Sequence, residues 1–193
     1  MQHRGMNKPL MLLTLAGAMT LPASAEPLSY VLDAEHSVVH FELLHFGTST
    51  IRGRFAGIAG AVTIDSATQR GELSLRLPTK TVSTGVPVFD ARIRQPDLLS
   101  SEASPEAYFV ATRFSFDGGT PREVRGEFTL RGVSQPLSLR ALRYACRRDG
   151  AVEICGGDFE GEILRSDFGM SFGLPFIADR VRLLVQVEAL RRD

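Results

Sequence analysis

The stretch ELSLRL, residues 72–77, puts Leu73, Leu75 and Leu77 on one side of an extended chain and Glu72, Ser74 and Arg76 on the other. Successive side chains of a strand point to opposite faces, so this alternation describes a strand with one buried and one wet side. The same reading gives Val39, Phe41 and Leu43 in VVHFELLH, and Val124, Phe128 and Leu130 in EVRGEFTL. It also gives Leu137, Leu139 and Ala141 in LSLRAL, and Val181, Leu183, Val185 and Val187 in VRLLVQVE. Adding residues 51–65 (IRGRFAGIAGAVTID), YFVATRFSF and the strand that leads toward Arg165 makes about eight strands, divided by clusters of Gly, Pro, Asp and Ser.

Only residues 87–99, PVFDARIRQPDLL, resemble a helix, and Pro96 interrupts it. There is no βαβ rhythm, repeat or low-complexity tract. The pattern indicates an all-β chain, a barrel or sandwich with one short helical crossing. Closure into a barrel removes exposed edges and leaves room inside for one slender ligand.

The chain begins with a basic start (Arg4, Lys8), an apolar run from Leu10 to Leu21 and a small-residue end at Ala23, Ser24 and Ala25. This reads as a secretory signal peptide over residues 1–25, ahead of a single domain over residues 26–193. Its loss removes two cations from a chain with 22 basic and 22 acidic side chains, leaving a slight acidic excess. A chain without a basic block offers nucleic acid no electrostatic footprint. No later segment has the apolar length of a membrane-spanning helix. Export without a lipobox cysteine points to the bacterial periplasm.

An oxidising compartment favours pairing Cys146 with Cys155. A two-residue turn on Asp149 and Gly150 would set Cys146 opposite Glu153 and leave Cys155 on the diagonal, about 7–8 Å away. A four-residue loop from Asp149 to Val152 sets the two cysteines opposite each other, so the disulfide predicts the longer loop.

The opening DAEHSVVHFELLHFGTSTIRGRFAGIAGAVTID carries Asp33, His36, Ser37, Phe41, His45, Gly47, Gly53, Phe55, Gly60 and Asp65 at spacings that resemble the start of a YceI-like domain. GEFTLRGVSQPLSL and RSDFGM (Arg165 to Met170) resemble later signatures of that family, in the same order. The middle departs from it. RIRQPDLLSSEASPEAYFVATRF lacks the family's histidine and Tyr-Pro step, and Leu98 and Leu99 stand in place of an aromatic pair. The resemblance implies an eight-stranded antiparallel lipocalin-like β-barrel that encloses a polyisoprenoid lipid or isoprenoid quinone, with no other cofactor. An open mouth or free edge would suit a dimer, although the sequence does not set the oligomeric state.

On that reading Val39, Phe41, Leu43, Phe55, Phe114, Phe128, Ile163, Phe168 and Val185 contact the ligand, with His45 and Arg165 near its head group. Arg165 follows Phe159, Gly161 and Ile163 in phase, where an apolar wall residue is expected. Two roles suit it. Either it bonds Asp167 or loop carbonyls and fixes the turn into Phe168 and Gly169, or it offers its fork of donors to a head group. Aromatic residues, including Phe159 and Phe176, otherwise read as core.

Two other chemistries have partial signatures in the sequence. His36 and His40 lie roughly 13 Å apart on an extended strand, too far to share an ion, so no metal site is expected. Gly169, Met170, Ser171, Phe172 and Gly173 match G-x-S-x-G, which admits a lipid esterase using Ser171. A nucleophile elbow, however, needs a strand entering and a helix leaving. A structural or stress-related envelope protein with a filled core is the remaining alternative.

Overall fold

Strands with one apolar face must bury it against another layer or curl it into a closed ring. The computed structural model describes residues 27–65 and 67–192, and in it the sheet closes. The strands are β1 (Leu28–Leu32), β2 (Val38–His45), β3 (Ser49–Phe55), β4 (Ala59–Asp65) and β5 (Arg70–Pro78). Helix α1 (Pro87–Ile93) follows, then β6 (Glu106–Asp117), β7 (Thr120–Leu130), β8 (Val133–Asp149), β9 (Val152–Leu164) and β10 (Arg180–Arg192). Short 3-10 turns occupy Thr79–Thr81 and Arg165–Phe168. The expected leader, residues 1–25, lies outside the described residues.

The antiparallel ring runs β1, β4, β5, β6, β7, β8, β9, β10 and back to β1, an eight-stranded barrel with one short helix beside it. Two further strands leave the ring. One edge of β10 pairs with β9 along residues 180–190. The other edge is divided, to β2 along residues 182–186 and to β1 along residues 189–192. Residues 51–65, read from the sequence as a single strand, are therefore two. Gly57, at φ +71°, lies in the break between β3, which follows β2, and β4, which returns between β1 and β5. The free edge of β3 is not left bare, because Arg54 and Ser83 exchange backbone hydrogen bonds of 2.8 and 2.9 Å. The segment after β5 thus seals the seam.

Bulges shift the inward face along the long strands. The β6–β7 register slips between Ala111 and Arg113, so buried Ala107, Phe109 and Ala111 give way to half-buried Phe114 and Phe116. On β8 a slip between Ala141 and Arg143 leaves Leu142 exposed and turns Tyr144 inward. An extra residue bends its strand and strengthens the twist, as a closed barrel requires. At one position a close approach demands glycine: Gly53 sits opposite Phe41, and a Cβ there would lie 2.3 Å from the Phe41 ring. The far edge of the Phe41 ring lies over that gap, and the side chain lines the barrel interior.

Cys146 and Cys155 face each other across β8 and β9 and are joined by an S–S bond of 2.02 Å. The loop is shorter than the four residues expected. Asp149 still pairs with Val152, so only Gly150 and Ala151 turn the chain. Gly150 has φ +59°, and a glycine at the first central position of a tight hairpin turn matches the twist of its strands.

Because this bridge closes a short loop, its loss should cost about 2–3 kcal/mol on the chain-entropy view. Reduction, or the Cys146→Ser/Cys155→Ser pair, is expected to lower Tm by roughly 5–10 °C while leaving the far-ultraviolet circular dichroism of the barrel intact. Loss of the β signal at 25 °C would show that the bridge holds the fold rather than trimming its stability.

Candidate ligand chamber

Where β2 and β3 leave the ring, the barrel interior holds a cavity of about 340 Å³. Its strand-borne wall comes from inward positions: Phe41 and Leu43 of β2, Ile51 of β3, Phe109 of β6, Phe128 of β7, Leu137 of β8, Ile163 of β9 and Leu183 of β10. The rest comes from outside the sheet. Phe89, Arg92 and Ile93 of α1, Leu98 and Leu99 after it, and Met170, Phe172 and Ile177 after β9 complete it. Phe89 and Phe172 line the cavity yet are about half exposed, 51% and 49%, so the chamber meets solvent between α1 and the loop that follows β9.

A second cavity of about 80 Å³ lies beyond it, lined by Tyr30, Phe114, Pro121, Tyr144 and Cys155 among others. Leu75, Leu139 and Val185 border both spaces and form the partition.

Of the residues singled out in the sequence, Val39, Phe41, Leu43, His45, Phe55, Phe128, Ile163, Arg165 and Val185 all reach the main chamber. Phe114 does not. It follows the β6 bulge and lines the smaller cavity instead. Phe168 is also absent from the wall, because it lies in the 3-10 turn, 2% exposed, packed edge-on against Phe128 at 5.5 Å. It backs a wall residue from behind. The individual lining residues of α1 and the post-β9 loop are not singled out by the sequence, since period two says nothing about a seven-residue helix or an irregular loop.

Arg165 opens the 3-10 turn rather than ending the strand, and it is 4% exposed. Its Nε donates to Ala178 O at 2.9 Å, Nη1 to Met170 O and Phe172 O at 2.6 and 2.8 Å, and Nη2 to Ile177 O at 2.8 Å. Four of the five N–H donors of a guanidinium are thereby committed to loop carbonyls, and Asp167 takes none. Burial pushes the Arg165 pKa down from its ordinary value, and the charge of Asp179 opposes that shift. Burial pushes the Asp179 carboxyl up, but hydrogen bonds from Ser166 Oγ and N, with the Arg165 charge, outweigh it and hold the group below the usual range. The cation thus gathers residues 170–178 onto the end of the barrel, which sets Met170, Phe172 and Ile177 in the chamber wall.

The other singled-out groups lie apart. His45 enters the chamber wall, His40 is exposed, and His36 Nδ1 pairs with Asp33 at 2.7 Å outside the barrel interior. Ser171 stands exposed in a stretch of turns, with no helix after it, so the elbow geometry is not formed.

A family model described as a YceI-like domain matches residues 30–189. Protein YceI of Escherichia coli O157:H7 is 29% identical over 191 residues, covering 97% of this chain and 100% of the relative. A UPF0312 protein of Shewanella denitrificans is 27% identical over 192 residues, with the same shares covered, 97% and 100%. Among solved structures, Burkholderia cenocepacia BcnA superposes with a TM-score of 0.67 at 20% identity, covering 81% of this chain and 98% of that one. A Saccharophagus degradans domain, described as polyisoprenoid-binding and implicated in plant cell wall breakdown, gives 0.60 at 19% identity, covering 84% and 98%. The Campylobacter jejuni YCEI protein gives 0.65 at 21%, covering 95% and 100%.

Removing a buried cation bonded to four carbonyls strands its acceptors, at a cost of about 3–5 kcal/mol. Arg165→Met is expected to lower the urea midpoint accordingly, and Arg165→Lys should recover little, because an ammonium cannot span four carbonyls. A midpoint unchanged in Arg165→Met would contradict the bracing role. A second test uses Tyr144, whose phenol is pushed up to about 12 by burial, then by the neighbouring Tyr30 and Glu153. The fold favours the neutral phenol, so this stability is whole below about pH 10 and is lost as pH rises toward 12. Absorbance titration at the phenolate band should show one tyrosine ionising last, and the Tyr144→Phe variant should lack that step.

Proposed function

The chain belongs to the YceI-like family, and on that premise we propose that it holds a long isoprenoid lipid, a polyprenyl compound or an isoprenoid quinone, inside its barrel. The role is transport or storage in the periplasm, with the barrel shielding the hydrocarbon from water. The observation that carries this reading is the apolar chamber of about 340 Å³, open at one end. That volume falls within the range of about 300–1,000 Å³ common for small-molecule sites.

Each methylene taken from water into such a wall contributes roughly 0.8 kcal/mol, from which the cost of ordering and association is subtracted. A long tail therefore gains where a sugar or nucleotide does not. The polyisoprenoid-binding description of the Saccharophagus degradans neighbour supports the same ligand class. The apparent leader at residues 1–25 supports export.

Protein purified from its native envelope and extracted with organic solvent should yield close to one isoprenoid lipid per chain by mass spectrometry. Leu183→Trp, which adds bulk to the chamber wall, should cut that yield at least about tenfold with an unchanged β-type circular dichroism spectrum. No lipid in the native extract, and none after incubation with quinone and polyprenol, would defeat the proposal.

A further inference from the structure

Both arginines in the chamber wall are already engaged, and this bears on which head group the mouth accepts. Arg165 spends its donors on carbonyls of its own loop. Arg92 reaches the wall from α1, and its Nη1 and Nη2 donate to the two carboxylate oxygens of Asp97 at 2.7 and 2.6 Å. Those bonds hold the Asp97 carboxyl below its usual range, against a smaller opposing push from burial. The pair is therefore ionised and mutually neutralised.

Arg92 is not exhausted as a donor. A bidentate pair of this kind takes one hydrogen from each terminal nitrogen and leaves the other two and the Nε–H uncommitted. Its guanidinium carbon lies 4.1 Å from the centre of the Phe172 ring, a cation–π contact that holds the group at the lip of the chamber. His45, the other basic residue of the wall, has no side-chain hydrogen bond among the described residues and offers a further ring nitrogen.

We infer that the chamber selects lipids with a neutral, hydrogen-bond-accepting head, such as a quinone, ester or amide, over lipids that end in phosphate or pyrophosphate. The inference rests on the lipid-holding reading and names the class of lipid. An anionic head would give up its hydration, approach the Asp97 carboxylate that already balances Arg92, and find four of the five Arg165 donors taken by loop carbonyls. A carbonyl oxygen gives up far less and accepts from the spare donors of Arg92.

The test compares three ligands with four-unit isoprenoid tails on delipidated protein by calorimetry: a quinone, a pyrophosphate and a headless hydrocarbon. The quinone should bind at least about tenfold more tightly than the pyrophosphate. Arg92→Met should weaken the quinone about fivefold to tenfold and leave the hydrocarbon unchanged. Asp97→Asn, which releases the charge of Arg92 at a half-exposed position, should strengthen the pyrophosphate about tenfold and barely move the quinone. Pyrophosphate binding as tight as quinone in the unaltered protein would overturn the inference while the lipid-holding reading stands. Failure of all three ligands, the hydrocarbon included, would remove that reading and this inference with it.

Discussion

The divided edge of β10 is the constraint on which the rest of this structure depends. A strand edge can satisfy only one partner at each position. By giving residues 189–192 to β1 and residues 182–186 to β2, β10 closes the barrel at one end and leads two strands out of the ring at the other. Had β1 run the full length of β10, the ring would be narrow throughout and its inward Leu, Val and Phe side chains would meet across it. Instead β2 and β3 swing outward, and the gap they leave is bridged by the Arg54–Ser83 bonds, the short helix α1 and the loop after β9. The chamber is the space between a closed base and this splayed end.

Irregular chain at such a place carries unpaired carbonyls, and Arg165 is how this protein satisfies them. A buried guanidinium is costly by itself, and a loop of stranded carbonyls is costly by itself; bonded together, each offsets the other. The loop thereby becomes as fixed as a strand, and its apolar side chains serve as wall. The same arrangement commits the arginines that reach the chamber wall to protein groups, Arg165 to loop carbonyls and Arg92 to Asp97.

Most of the barrel is legible in the sequence because period two reports directly which side of a strand is dry. Leu75, Leu137, Leu139, Val181 and Leu183 face inward as their alternation indicates, and the two cysteines meet in the expected register. Period two fails where residue counting fails. Nothing in YFVATRFSF marks Thr112 as an extra residue, so the displacement of Phe114 to the smaller cavity is invisible until the bulge is seen. Phe168 is misplaced for a related reason, since a 3-10 turn has no alternating faces. β1 is only five residues long and escapes notice, although Tyr30 and Leu32 in it are buried. The mouth is the least legible part. Arg92, Phe172 and Ile177 come together only through the placing of a short helix and the path of an irregular loop.

An apolar space remains open inside the barrel, between Phe41, Ile163 and Leu183, when no ligand fills it. Crystals of the delipidated protein under xenon pressure test this directly, because dry apolar cavities take up xenon and packed cores do not. Anomalous xenon density enclosed by those three side chains is the expected result. A chamber closed by their inward collapse, with no xenon inside the barrel, would contradict it.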